Sequence, residues 1–148
     1  MRARDVLVEF PAVRPDTAVI EAARLLAAQD LPGLVVLDDV GRPRTILPGT
    51  EVLRMAVPLY CQADPALARV VDEQAADIFV HQLGDRTVAQ ALPGQRPELP
   101  VVDGDATALE MAALMARSRS PLVAVVDDDA RFIGAVTLDG LLDAVLVR

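Results

Sequence analysis

Few side chains in this 148-residue sequence could carry covalent or acid–base chemistry. There is one histidine (His81), one cysteine (Cys61) and two serines (Ser118 and Ser120), and all 14 basic residues are arginine. A Ser-His-Asp arrangement would have to use His81, which lies in a stretch of helical periodicity with no serine near it in sequence. Without lysine there is neither a Schiff-base nucleophile nor a lysine-bearing phosphate loop. No His/Cys set has metal-ligand spacing. The run Asp127, Asp128, Asp129 lacks the Asp-x-Asp-x-Asp-Gly layout of a calcium loop and reads as a solvated turn. The inventory argues against an enzyme, and no catalytic residue or metal ligand is assigned.

Bulk properties narrow the classes further. The formal net charge is −8, which disfavours generic binding to a phosphate backbone, so no nucleic-acid partner is expected. The chain is 53% hydrophobic but only 3% aromatic, so its core must be aliphatic. No apolar run approaches the roughly 18 residues of a membrane helix, and MRARDVLVEF is not followed by an apolar signal region. A cytoplasmic protein without membrane insertion is the expectation. One cysteine excludes an internal disulfide and suits a reducing compartment.

The elements that must position any site are clearest at residues 120–142, SPLVAVVDDDARFIGAVTLDGLL. An apolar, β-branched run is broken by an acidic turn. A second strand then ends at a polar corner, where Thr137 and Asp139 announce a helix. Residues 31–53, LPGLVVLDDVGRPRTILPGTEVL, repeat the order. A helix to about Gln29, with Asp16 and Thr17 as candidate caps, precedes the first copy. A helix over residues 108–116, whose cap begins at Asp105, precedes the second. The spacing of 89 residues (105 − 16) pairs Asp16 with Asp105, Pro32 with Pro121, Asp38 with Asp127, Arg42 with Arg131 and Leu53 with Leu142 without a gap. Such duplication means two copies of one supersecondary unit, each burying its open sheet face against the other. Between them, Asp64-Pro65 opens a helical stripe through Leu67, Val70, Val71, Gln74, Ala75, Ile78 and Phe79. It predicts a helix over residues 64–83, and packing within the chain is favoured over packing on a partner.

The order β-α-β-β-α, twice, with its acidic turns and the Gly134-Ala135-Val136-Thr137 corner, resembles a pair of CBS domains, or Bateman module. The wording of the arm is similar to that of stand-alone actinobacterial CBS-pair proteins of unassigned function. The resemblance implies an α/β fold of tandem CBS repeats packed face to face, with a helical arm inserted between them. On this reading residues 1–58 are the first repeat, 59–84 the connector and arm, and 85–148 the second repeat. It further implies a regulatory or sensing module that forms a homodimer and signals to a partner protein in trans. Such pairs bind adenosine-containing ligands (AMP, ADP, ATP, NAD or S-adenosylmethionine) in the cleft between repeats. No cofactor is obligatory.

Carried onto this sequence, the family pattern assigns phosphate to the corner threonine and ribose to an acid three residues later. Thr137 matches, but the ribose position is Gly140, and Asp139 sits one residue early, a rotation of roughly 100° on a helix. In the first repeat the threonine position is Pro48, which has neither hydroxyl nor N–H, and the ribose acid is Glu51. The aliphatic side chains Val13, Leu31, Val102 and Pro121 would clamp the base. Each assignment has a structural counterpart. Thr137 can cap a helix, Glu51 can be a solvated first-turn acid, and for Arg42 and Arg131 an ion pair with the neighbouring aspartates is favoured over a reach to phosphate. His81 reads as a surface or interface residue and Cys61 as a small apolar filler. A structural module that binds a protein partner and no nucleotide is the alternative function.

Overall fold

The computed structural model describes residues 1–70 and 74–147. In chain order the elements are α1 (Ala3–Val6), β1 (Ala12–Val13), α2 (Val19–Gln29), β2 (Gly33–Leu37), β3 (Pro43–Pro48), α3 (Gly49–Ala56) and α4 (Leu59–Ala63). A 3-10 helix (Pro65–Val70) is followed by α5 (Ala75–Leu83), α6 (Val88–Ala91), β4 (Val101–Asp103), α7 (Ala108–Ser118), β5 (Leu122–Val126), β6 (Phe132–Thr137) and α8 (Leu138–Leu146). The strands form two three-stranded sheets, ordered β1-β2-β3 and β4-β5-β6. β2 and β5 are central and read as unbroken apolar runs because both of their faces are covered.

The duplication seen in sequence is a duplication of backbone. Ala12 lies opposite Val35 and Val13 opposite Val36 in one parallel pair, and Val101 opposite Ala124 and Val102 opposite Val125 in the other. All four positions of the second pairing are 89 residues on from the first (101 − 12, 124 − 35). Both acidic turns close with the same bond, from Asp38 N–H to the Arg42 carbonyl and from Asp127 N–H to the Arg131 carbonyl, each 2.9 Å. Gly41 occupies the left-handed region in the first turn at φ 86°, and Ala130 takes the matching position at φ 63°. α2 and α7 both end on a left-handed residue, Asp30 and Arg119.

Two compact units divide the chain, and they cut across the repeats. Unit 1 comprises Met1–Arg14, Val35–Ile46 and Arg96–Arg148, and unit 2 comprises Pro15–Leu34 and Leu47–Gln95. The reason is an exchange of leading segments. α1 precedes the first repeat but packs on the second: Ala3 N–H donates to the Ala106 carbonyl (2.8 Å) and Arg4 N–H to the Gly104 carbonyl (3.0 Å). α6 precedes the second repeat but packs on the first: Val88 N–H donates to the Thr17 carbonyl and Ala89 N–H to the Pro15 carbonyl, both 2.9 Å. These bonds correspond one to one, at an offset of 89 on the acceptor side (106 − 17) and 85 on the donor side (88 − 3).

The strand edge beyond each leading helix is closed the same way, with one chemical difference. Val8 pairs with Ala135 through two backbone bonds of 2.9 and 3.0 Å. That approach requires Gly134, where a Cβ would lie 2.7 Å from the Val8 carbonyl oxygen and 2.8 Å from Leu7 Cδ1. The position matching Val8 is Pro97 (8 + 89), which cannot donate. The residue matching Gly134 is Thr45, 2% exposed, and its hydroxyl donates to the Pro97 carbonyl at 2.7 Å. A side-chain bond therefore ties the strand to a residue that can donate no ladder bond.

The core of unit 1 gathers Ala3, Val102, Met111, Met115, Val123, Val125, Val136 and Leu141. In unit 2, Val19, Ala22, Leu34, Leu47, Val52, Ala56, Leu83 and Val88 are buried. As expected from composition, both sets are aliphatic.

Three expectations are corrected. Residues 64–83 are not one helix. Asp64 leaves helical geometry at φ −142° ahead of Pro65, the 3-10 helix follows, and α5 starts afresh after Gln74. Val71 of the expected stripe lies outside the described residues. The connector before it contains α4. α2 is not capped by Asp16 or Thr17: its N-cap is Ala18, and the Arg86 carbonyl, brought by the α6 segment, accepts from Val19 N–H at 2.9 Å. α7 is capped by Thr107, whose Oγ1 accepts from Glu110 N–H at 3.1 Å, two residues beyond the expected Asp105.

Two stability experiments follow. Gly134→Ala should lose about 1–3 kcal/mol through overpacking against Val8, and Thr45→Val a similar amount by leaving the Pro97 carbonyl without its donor. Denaturant titration of both variants checks this, and wild-type stability in either would contradict the exchange. Asp38 supplies a pH signature. The Arg42 N–H above all, then the Val40 N–H and the Arg44 guanidinium, hold its carboxyl below the usual 3.8. A lowered native pKa contributes stability that is complete above the unfolded value and lost as pH falls through the native one. Asp38→Asn should therefore flatten the acid branch of the stability–pH curve below about pH 4, and an unchanged slope would remove Asp38 from that branch.

Candidate functional site

Each repeat turns from its third strand into its last helix at a corner held by one backbone bond. Gly49 N–H donates to the Pro32 carbonyl (3.0 Å), and Leu138 N–H to the Pro121 carbonyl (2.9 Å). Chemically the two corners diverge. At the second, Thr137 is the N-cap of α8, its Oγ1 accepting from Gly140 N–H at 3.1 Å. A Cβ at Gly140 would itself lie 3.1 Å from that oxygen, so a side chain there would crowd the cap. Asp139 is exposed on the same first turn. At the first corner Pro48 is the N-cap of α3 and makes no side-chain bond. Glu51 lies on the first turn with its side chain 19% exposed, 3.5 Å from the Arg54 guanidinium.

Of the residues singled out in the sequence, unit 1 holds Val13, Val102, Pro121, Thr137 and Asp139, and unit 2 holds Leu31 and Glu51. Val13 and Val102, on the outer strands β1 and β4, are each only 5% exposed and offer little surface to a planar base. Leu31 and Pro121 are half-buried. Pro121 lines an apolar groove of about 460 Å³ on unit 1 with Met115, Leu138, Leu141 and Leu142. Leu138 and Leu142 are nearly half exposed there.

Unit 2 carries a more polar depression of about 320 Å³. Glu51, Arg54 and Met55 reach it from α3, Arg86 and Gln90 from the α6 segment, and Leu92 from the loop beyond. Sequence reasoning picked out only Glu51 of this set. Arg54, one turn on, could have been found from helical spacing. Arg86 gives no local signal, since only the exchange of leading segments brings it to α3. Two further expectations resolve in the turns. Arg44, not Arg42, pairs with Asp38, its Nε donating at 2.8 Å. Arg42 and Arg131 instead give their backbone N–H groups to the carboxylates of Asp38 and Asp127. His81 is exposed and Cys61 is buried as a free thiol. Among the described residues no group of three His, Cys, Asp or Glu side chains could hold a metal, and no helix is long and apolar enough to cross a membrane.

Comparison with known proteins agrees with this architecture. The CBS domain model matches residues 90–147. A CBS domain-containing protein of unknown function from Kribbella flavida is 48% identical over 99% of both chains, with a TM-score of 0.90. CBSX2 from Arabidopsis thaliana, a CBS-pair protein, is 19% identical over 99% of this chain and 94% of its own, TM-score 0.73. CBSX2 in complex with AMP is 20% identical over 99% and 96%, TM-score 0.67. No curated protein matches. With duplicated sheets, matched corners and a relative at this identity along its whole length, the chain belongs to the CBS-domain family.

Proposed function

We propose that this chain is a regulatory CBS-pair module that binds an adenine nucleotide and passes that state to a partner protein in trans, with no catalytic step of its own. The observation that carries the reading is Glu51. It stands at the ribose position of the first corner, largely shielded, beside a depression that also holds guanidinium groups. A carboxylate so placed can accept both ribose hydroxyls. The AMP complex of CBSX2 shows that this fold can hold such a ligand in another protein. The second corner is the weaker candidate, because Gly140 brings no acid and the Thr137 hydroxyl already accepts a helix bond. Pro48 and Gly140 also favour a second reading, an interaction module that binds no nucleotide.

For assembly, the apolar groove between α7 and α8 is proposed as the homodimer face, since Leu138, Leu142 and Val145 stand exposed along one helix.

Thermal unfolding at fixed protein concentration, with and without AMP, ADP, ATP, NAD and S-adenosylmethionine, tests the nucleotide reading. A ligand at about 100 times its Kd adds about 2.7 kcal/mol, hence several degrees at about 2–4 °C per kcal/mol. The rise should shrink in Glu51→Gln. If it persists in Thr137→Val, the ligand belongs to the first corner. No rise with any compound at millimolar concentration favours the interaction module. For the dimer, Leu142→Glu should convert a wild-type dimer to a folded monomer in light scattering, and a mass unchanged by the substitution would discard that face.

A further inference from the structure

We infer that the depression on unit 2 is a phosphate-binding site used once per chain, its anion held by Arg54 and Arg86. The inference rests on the nucleotide reading for the rest of the ligand, but its own content is the anion and the stoichiometry. Repeat symmetry provides the argument. α3 matches α8 at an offset of 89, and the α6 segment matches the α1 segment at 85 (88 − 3). Glu51 therefore corresponds to Gly140, Arg54 to Asp143, Arg86 to Met1 and Gln90 to Asp5. The depression on unit 2 presents two guanidiniums and one carboxylate, whereas the corresponding positions of unit 1 present two carboxylates and no guanidinium. The arginines of the α1 segment, Arg2 and Arg4, stand at positions that match Thr87 and Ala89. Arg4 pairs with the Asp105 carboxylate, and Arg2 donates to the Asp105 carbonyl. The matched side chains are net positive on unit 2 and net negative on unit 1, which favours the anion on unit 2.

The backbone beneath both guanidiniums is fixed. The Arg86 carbonyl accepts from Val19 N–H at 2.9 Å, and Gln62 Nε2 donates to the carbonyls of Arg54 (2.8 Å) and Val57 (2.7 Å) at the end of α3. Arg54 meets Glu51 only at 3.5 Å and is 68% exposed, so most of its five donors stay open to a ligand. Planar guanidinium forks suit phosphate oxygens. A volume of about 320 Å³ is at the lower end of small-ligand sites, enough for a phosphate with part of a nucleotide.

Isothermal titration calorimetry with AMP and with inorganic pyrophosphate tests this on the wild type, on Arg86→Gln, and on Arg117→Gln, an exposed arginine of α7 that makes the same charge change elsewhere. The expected result is one AMP per chain, displaced by pyrophosphate, with Kd raised at least tenfold in Arg86→Gln and unchanged in Arg117→Gln. Both variants should melt with the wild type. AMP binding that Arg86→Gln leaves intact, or two equivalent AMP sites per chain, overturns the inference while the nucleotide reading stands. Pyrophosphate binding lost in Arg86→Gln, with no AMP binding, upholds the anion site and removes the adenine. Binding of neither compound overturns both.

Discussion

The structure depends on backbone groups that neither repeat can satisfy alone. A β-α-β-β-α unit ends one side of its sheet in a row of unpaired peptide groups and begins its long helix with orphan N–H donors. Each repeat meets part of these needs with the segment that leads into the other. Val8 completes β6, and α1 donates to the loop ahead of α7. The α6 segment donates to the loop ahead of α2 and supplies the carbonyl that caps it. Because buried peptide groups without partners are costly, the exchange links the stability of each repeat to the presence of the other. It also explains why the compact units are assembled from pieces of both repeats.

Once the backbone is fixed this way, matched positions are free to differ in chemistry. Gly134 and Thr45 solve one packing problem by opposite means, one by having no side chain and the other by donating a hydroxyl where Pro97 has lost its N–H. Ala18 and Thr107 begin matched helices, yet only Thr107 caps its own. The corners differ in the same manner. Thr137 places a hydroxyl where Pro48 has none, and Glu51 places a carboxylate where a side chain at Gly140 would crowd that hydroxyl. A polar side chain tied into a helix cap is less available to a ligand than one on an open first turn, which separates Thr137 from Glu51.

Much of this was legible in the sequence, for a definite reason. Strands buried on both faces write themselves as apolar runs, and acidic turns punctuate them, so the register of 89 residues could be read directly and holds in the strand pairings. Legibility failed where the determining partner is distant in sequence. Asp16 and Thr17 looked like caps because caps are usually local, but the carbonyl beside α2 belongs to Arg86. The second register, of 85, was hidden because the leading helices are only four residues long and the loop that follows α6 is four residues longer than the one after α1. The arm read as one helix because its apolar spacing is helical, and the spacing could not register how Pro65 resets the backbone of Asp64. At the site, Glu51 was found through its place in the repeat, while Arg86 could be found only through the exchange.

That same exchange determines what a ligand on unit 2 could accomplish. α3 belongs to the first repeat in sequence and α6 leads the second, yet both line one depression. A ligand touching both would strengthen the attachment of one repeat's leading segment to the other repeat, adding to bonds that already join Val88 to Thr17 and Ala89 to Pro15. Its effect on any arrangement of the chain cannot exceed its differential affinity for that arrangement. A ligand confined to a single repeat would have no such leverage, since it would bind equally well whether the leading segments were docked or free. Regulation by a small anion is therefore better served by the asymmetric site that spans the exchange than by either corner acting alone.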